Sequence, residues 1–181
     1  MFHCHCPLPC DTRSMLLRPA EPPDALAIAR VHVRAWQHGY RGFLPDDYLD
    51  QLRPEDRAEK YDLSNADPLH PHTIVAASGN IIHGFATTCP SHEPDLPNHG
   101  ELTALYVDPH SWGLGVGVAL VTAARAHLVS LGLKNAYLFT LVDNLRAQRF
   151  YQTDQWTPDG LRRIDIVWSA SVDVLRYQRT L

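Results

Sequence analysis

Three glycines, Gly113, Gly115 and Gly117, stand at alternate positions in DPHSWGLGVGVALV. They separate a strand-like run ending at Asp108-Pro109 from a helix-like run beginning near Val118. Backbone N–H groups at a helix start have no intrahelical partner, and the helix dipole is positive there. Bare backbone lets phosphate oxygens reach those donors. Strand, glycine-rich turn and helix in that order therefore suit a phosphate cradle. The chain lacks the Gly-Lys-Ser/Thr of a Walker loop. Its G-x-G-x-G also lies mid-chain, after antiparallel-looking strands, unlike the G-x-G-x-x-G of a dinucleotide fold. The same glycines would equally allow a helix to pack closely on a strand.

A second constellation lies in AYLFTLVDNLRAQRFYQTDQW. Asn144 and Tyr151 are seven residues apart, nearly two helical turns, so they share a helix face with the small Ala147 between them. An amide, a gap and a phenol then line one edge of a helix that leaves a strand. Tyr151 would also suit a core position beside Phe150.

The elements that must position these groups follow from periodicity and turn chemistry. Met15 to Pro19 reads as a first strand. Asp24 suits the N-cap of a helix over ALAIARVHVRAW, with Leu26, Ala29, Val33 and Trp36 at helical spacing. LPDDYLDQL gives a second short helix. HTIVAASGN and IIHGFATT form a hairpin turning at Ser78-Gly79-Asn80. CPSHEPDLPNHG is a proline-rich loop. ELTALYV is a strand, VALVTAARAHLVSL a helix ended by Gly132, AYLFTLV a strand and NLRAQRFYQTD a helix. Arg163–Trp168 and Val172–Tyr177 read as closing strands. The order β, α, α, β, β, β, α, β, α, β, β implies a mixed α/β fold around one sheet.

The chain has 181 residues, 45% of them apolar, and a net charge of −4. That suits one globular domain, here residues 15–181, with a core that needs no disulfide or structural metal. The charge offers no basic field for nucleic acid or an anionic membrane. No apolar run reaches the length of a membrane span, and no secretory signal opens the chain, so the expected location is cytoplasmic. Cys4, Cys6 and Cys10, beside His3 and His5, crowd the first residues. Their spacing matches no zinc pattern, so residues 1–14 read as a flexible leader and no metal ligand is assigned. A small metal site is the competing reading of that leader.

Taken together, GELTALYVDPHSWGLGVGVALV and NLRAQRFYQTDQW resemble the GNAT superfamily of N-acetyltransferases. The family's pyrophosphate loop, Arg/Gln-x-x-Gly-x-Gly/Ala, corresponds to Trp112-Gly113-Leu114-Gly115-Val116-Gly117. Its Asn-x-x-Ala-x-x-Phe-Tyr is met by Asn144, Ala147, Phe150 and Tyr151. The resemblance runs from about Met15 to Leu181 and includes RVHVRAWQHGYRGFLPDDYLDQL. It departs from the family at Trp112, in the Arg/Gln position, and at Gln155, where a Gly usually precedes the aromatic residue.

The resemblance implies a mostly antiparallel sheet flanked by helices, with acetyl-CoA in a gap between the fourth and fifth strands. Leu105, Tyr106 and Val107 would pair with the pantetheine arm, and the N–H groups of Gly113 to Val118 would hold the pyrophosphate. A backbone N–H near Val107 would polarise the thioester carbonyl. Tyr151 would be the general acid for the leaving thiolate, and Asn144 would anchor the pantetheine arm or a water. Glu101 is the candidate general base, against a plain strand-end carboxylate in solvent; His83 and His99 are weaker candidates. Trp36 and Tyr40 would line the acceptor pocket, with Asp46 and Asp47 nearby to suit a cationic amine, though these residues would equally suit core aromatics and an ordinary helix cap. The implied activity is acetyl transfer to a primary amine of a small molecule or peptide, by direct attack in a ternary complex, with no metal. A degenerate acyl-CoA sensor is the competing reading. The resemblance also allows a homodimer.

Overall fold

The computed structural model describes residues 15–181, except Ala66 and Trp168; the Cys/His leader lies outside the described residues. The chain runs β1 (Leu16–Pro19), α1 (Ala25–Gly39), α2 (Asp46–Asp50), α3 (Pro54–Ala58), β2 (His72–Ser78), β3 (Ile81–Pro90) and β4 (Gly100–Val107). It continues with α4 (Val116–Ser130), β5 (Asn135–Leu141), α5 (Leu145–Thr153), β6 (Thr157–Val167) and β7 (Ala170–Thr180). The strands form one sheet in the order β1-β2-β3-β4-β5-β7-β6. Only β4 and β5 run parallel; the other neighbours are antiparallel. This is the expected single mixed, mostly antiparallel sheet.

Helices cover both faces, which explains why the central strands are apolar on both sides. Eight of the ten β3 positions, Ile82 to Cys89, and all of Thr73–Ala77 in β2, are buried. On one face α4 sets Val116, Leu120, Val121, Ala124 and Leu128 against Ile74, Ala86, Leu102 and Leu138, and Trp156 joins them. On the other, Ile28 and Val31 of α1 meet Val75, Ile82 and Phe85. Gly132 ends α4 with φ +81°, as a left-handed C-terminal glycine does.

Several local expectations need correction. Leu26 is 36% exposed, and the buried stripe of α1 runs instead through Ile28, Ala29, Val31, His32, Val33, Ala35 and Trp36. Asp24 makes no side-chain cap on α1. Its carboxylate accepts from Arg18 at 2.6 and 2.9 Å and from the Glu21 backbone at 2.8 Å. An unforeseen helix, α3, starts with Pro54 in its first turn, followed by Glu55 and Asp56. These are start signals that a five-residue segment hides from periodicity. β6 begins at Thr157, well before Arg163, because an irregularity between Pro158 and Arg162 interrupts its pairing. Gly160, with φ +93°, marks that break.

His32 is 3% exposed and lies against the rings of Tyr106, Phe85 and Tyr61. Burial, and then the nearby Arg57, hold its pKa well below the ordinary 6.5. The folded state therefore binds fewer protons than the unfolded chain below pH 6.5. Stability is full above that pH and falls as the pH drops toward the folded-state value. Urea unfolding midpoints between pH 7.5 and 5 should show this loss, and His32→Gln should flatten it.

Candidate active site

The site starts from a failure of pairing. β4 and β5 are joined at only two positions, Gly100↔Ala136 and Glu101↔Tyr137. Beyond Glu101 the strands diverge. β4 carries an extra residue there: Thr87 faces Ala104 and Thr88 faces Leu102, which leaves Thr103 as a bulge. Its hydroxyl turns back to the Thr87 carbonyl at 3.1 Å. A bulge bends and twists its strand, and this one steers β4 away from β5.

The direction of the freed backbone groups follows from the ladder. Asp108 donates its N–H to the His83 carbonyl at 2.8 Å. Antiparallel pairing alternates, so Tyr106 and Ala104 also turn their backbone groups toward β3. Leu105 and Val107 turn theirs into the gap. Tyr106 therefore contributes to the cleft through its ring and not, as expected from sequence, through its backbone. The Val107 carbonyl already accepts the Trp112 indole N–H at 2.9 Å.

The gap opens into a cleft of about 1060 Å³ lined by β4, β5, the glycine loop, α1 and α5. At the loop end, Gly113 and Gly115 have φ +77° and +82°, and an added Cβ at either would meet nothing within 4 Å. They serve backbone shape and openness, not packing. Gly115 caps α4 without any side-chain hydrogen bond, and the first intrahelical donor is Ala119, to Gly115. The N–H groups of Val116, Gly117 and Val118 are thus left without helical acceptors. Leu114 and Val118 are 44% and 59% exposed. Donors so placed suit an anionic oxygen.

A charged frame holds this loop. Asp108 accepts from the guanidinium of Arg34, and from the backbone and ring of His110 at 3.0 Å each. Burial alone would raise the Asp108 pKa, but the hydrogen bonds from Arg34 and His110 outweigh it and hold it below the ordinary value. Arg146 of α5 lies 3.5 Å over the Trp112 ring, and His38 meets that ring edge-on. The Arg/Gln position of the loop is thus filled by an indole that carries a guanidinium on its face.

Tyr151 lines the cleft from α5 and is 8% exposed. Burial, and then the neighbouring Tyr106, push its phenol well above the ordinary range, so it keeps its proton. It also packs against Phe150 and Trp156, so the core reading and the cleft reading both hold. Asn144 uses its Oδ1 to cap α5, accepting from Ala147 N–H at 3.0 Å. That cap fixes the start of the helix that carries Tyr151.

Glu101 also lines the cleft, at its closed end, where its side chain is 17% exposed. It accepts the Tyr137 hydroxyl at 2.8 Å. Trp36 and Tyr40 line the α1 side with their rings edge to face, 4.8 Å apart, and Tyr40 hydrogen-bonds to Tyr106. His83 and His99 do not line the cleft; His83 is buried against Ser111 at 3.0 Å. Asp46 faces outward in an ion pair with the exposed Arg41, and neither Asp46 nor Asp47 lines the cleft. Cleft residues that sequence reasoning missed are Arg146, Phe139, Asp143, Arg163 and Asp165. Arg163 lies 4.2 Å over Phe139 and pairs with Asp165 at 3.2 Å.

A family model for the acetyltransferase (GNAT) family matches residues 33–154, which include the glycine loop, β4, β5 and α5 of the cleft. The chain belongs to the GNAT family of acetyltransferases. An N-acetyltransferase of Bacillus subtilis, YuaI, is 26% identical over 128 residues, covering 71% of this chain and 72% of that one. Mycothiol acetyltransferase of Actinosynnema mirum is 32% identical over 148 residues, covering 80% of this chain and 44% of that one. The chain thus spans less than half of that longer relative. Among solved structures, PaiA N-acetyltransferase of Thermoplasma acidophilum in complex with coenzyme A aligns with a TM-score of 0.69 at 18% identity. That alignment covers 93% of this chain and 99% of the other. YncA of Salmonella typhimurium with its cofactor acetyl-CoA also gives 0.69, at 17% identity over 92% and 94%. These structures share the GNAT fold. Among the described residues, no helix is long and apolar enough to cross a membrane.

The family's usual glycine before the last aromatic is Gln155 in this GNAT member, and Gln155 holds the left-handed φ of +65° that glycine would adopt freely. A side chain there costs about 1–2 kcal/mol, partly offset because glycine also loosens the unfolded chain. Gln155→Gly should raise the melting temperature by about 2–4 °C, read by calorimetry, with Tyr151 left in place.

Proposed function

We propose that this GNAT protein moves an acetyl group from acetyl-CoA to a primary amine of a small molecule or peptide, by direct attack in a ternary complex. One observation carries this reading: a single cleft joins the uncapped glycine loop, the gap-facing backbone of Leu105 and Val107, and a buried phenol, Tyr151. The loop's open left-handed glycines and unpartnered N–H groups fit a pyrophosphate, and the strand gap fits an extended amide-bearing arm. When bound, acetyl-CoA supplies an activated acyl group with a thiolate leaving group.

The chain's own residues then divide the work. The N–H groups of Gly113 to Val118 hold the phosphates, and Arg146 adds positive charge beside Trp112. The Val107 N–H points into the gap, where it polarises a carbonyl. Leu105 and Val107 pair with the arm, the Val107 carbonyl sharing its second lone pair beside the Trp112 bond. Ala147 leaves room beside the arm, and Asn144 holds the turn. Tyr151 keeps its proton until a thiolate needs it. Glu101 takes the proton of the amine, directly or through water. Trp36 and Tyr40 shape the acceptor side. A small-molecule acceptor is the class that the mycothiol acetyltransferase relatives suggest.

Purified protein, acetyl-CoA and a panel of primary amines test this, with acetylated product read by chromatography. Binding of acetyl-CoA with no turnover on any amine would favour the sensor reading. On an accepted amine, Tyr151→Phe should lower kcat by about 10²- to 10⁴-fold while calorimetric acetyl-CoA affinity stays the same. Unchanged kcat would remove Tyr151 from the general-acid role. Gly115→Ala places a side chain at φ +82°. The strain of about 1–2 kcal/mol should weaken acetyl-CoA binding roughly tenfold, measured by the same calorimetry.

A further inference from the structure

Behind Glu101, which lines the cleft, two further side chains able to ligate a metal gather around its carboxylate. Cys89 of β3 and Glu101 of β4 are direct cross-strand partners. Directly opposite residues on one face bring their side chains together. His92, in the loop after β3, completes the group. The three separations are 3.7 Å for Cys89 Sγ to His92 Nδ1, 3.9 Å for Cys89 Sγ to Glu101 Oε2, and 3.5 Å for His92 Nδ1 to Glu101 Oε2.

These distances are long for hydrogen bonds that hold three groups together. They are close to the edges of a metal tetrahedron. With ordinary zinc–sulfur, zinc–nitrogen and zinc–oxygen bond lengths, ligand atoms lie about 3.3–3.7 Å apart. Thiolate, imidazole and carboxylate are each zinc ligands, and water would take the fourth position.

The surroundings fit such a set. Glu101 is also paired across β4 and β5 with Tyr137, whose hydroxyl donates to the same Oε2 at 2.8 Å. That hydroxyl in turn accepts the His92 backbone N–H at 3.2 Å. One phenol thus orients both the carboxylate and the backbone of the histidine, as an outer partner does at metal centres. The loop is pinned as well. Arg163 donates to Glu93 at 2.8 and 2.9 Å, and the buried Arg176 donates to Asp95 at 3.0 and 2.7 Å.

We infer that Cys89 Sγ, His92 Nδ1 and Glu101 Oε2 form a binding site for one zinc ion that borders the cleft through Glu101. The assignment departs from the sequence reading, in which no residue was given a metal. Cys89 is far from the leader cysteines in sequence, and only the strand register brings its partners together. Without metal, a cysteine thiol is mostly protonated at neutral pH. Zinc binding therefore releases one proton from Cys89 to solvent, and one Zn–S bond forms in its place. The site also has a consequence that rests on Glu101 as the base: a carboxylate engaged by zinc cannot accept the amine's proton, so zinc turns acetyl transfer off.

The test uses the full-length chain with Cys4, Cys6 and Cys10 changed to Ser, so that leader thiols do not compete. Zinc is titrated against a chromophoric chelator, and cobalt(II) serves as a spectroscopic probe. One zinc per chain is expected, with a thiolate-to-cobalt charge-transfer band. Proton release of one per zinc should appear as a buffer-dependent binding enthalpy. Tyr137→Phe should weaken zinc by about 10- to 100-fold. Cys89→Ser and His92→Ala should weaken it further, and Cys89→Ser should abolish the band. His92 is largely exposed, so His92→Ala tests the site without disturbing the core. Equal zinc affinity in the parent, Cys89→Ser and His92→Ala proteins, each still binding acetyl-CoA, would overturn the site. In the activity arm, zinc should abolish product formation by the parent, a chelator should restore it, and His92→Ala should resist. Stoichiometric zinc with undiminished transfer would uphold the metal site and remove Glu101 as the base.

Discussion

The molecule depends on two strands that part company. β4 and β5 share two rungs and then separate at an extra residue, Thr103. Every buried backbone N–H and C=O that loses a strand partner must find another or face solvent. The divergence therefore creates both the room and the hydrogen-bonding groups of the cleft. It also explains why the ordinary rules of sheet formation stop at Glu101. Upstream, cross-strand pairs fix Cys89, Glu101 and Tyr137 on one line across three strands. Downstream, one edge of β4 is left open.

The rest of the fold keeps that opening in shape. α4 packs on one side through Leu120, Val121, Ala124 and Leu128, and α1 packs on the other through Ile28 and Val31. Asp108 ties the end of β4 to α1 through Arg34 and to the following turn through His110. Trp112 returns from that turn to the Val107 carbonyl. On the far side, Arg176, with 5% exposure, gathers Asp95 and Asp159 and so binds the loop after β3 to the closing hairpin. A buried guanidinium with several carboxylates is held by its geometry, since desolvation makes loose pairs unfavourable.

Much of this was legible in the residues. Gly113 and Gly115, Asn144, Ala147 and Tyr151 stood at spacings that identified the loop and the helix edge, and all of them line or frame the cleft. The order of the strands and of the longer helices was legible because long apolar periods carry it, while the five-residue α3 was not. What stayed hidden depends on register. A one-residue bulge at Thr103 decides whether Tyr106 offers its backbone or its ring, and no local residue signal marks it. The outward turn of Asp46 depends on Arg41, a partner that only the folded loop supplies. The alignment of Cys89 with Glu101 is a sheet pairing twelve residues apart, and Arg163 and Asp165 reach the cleft only because β6 closes beside β7. Gln155 was visible as a departure, and the structure gives its meaning: the left-handed turn is kept although the glycine is not.

The glycine loop is built almost wholly from main chain: its cap carries no side-chain hydrogen bond, and Leu114 and Val118 direct their side chains outward. A binding surface made of peptide groups is indifferent to the letters between its glycines. Substitutions at the exposed positions 114 and 118 can therefore accumulate without erasing it, provided the two left-handed positions persist and the buried Val116 keeps its place in the core. Distant members of such a lineage would diverge in sequence while sharing one architecture.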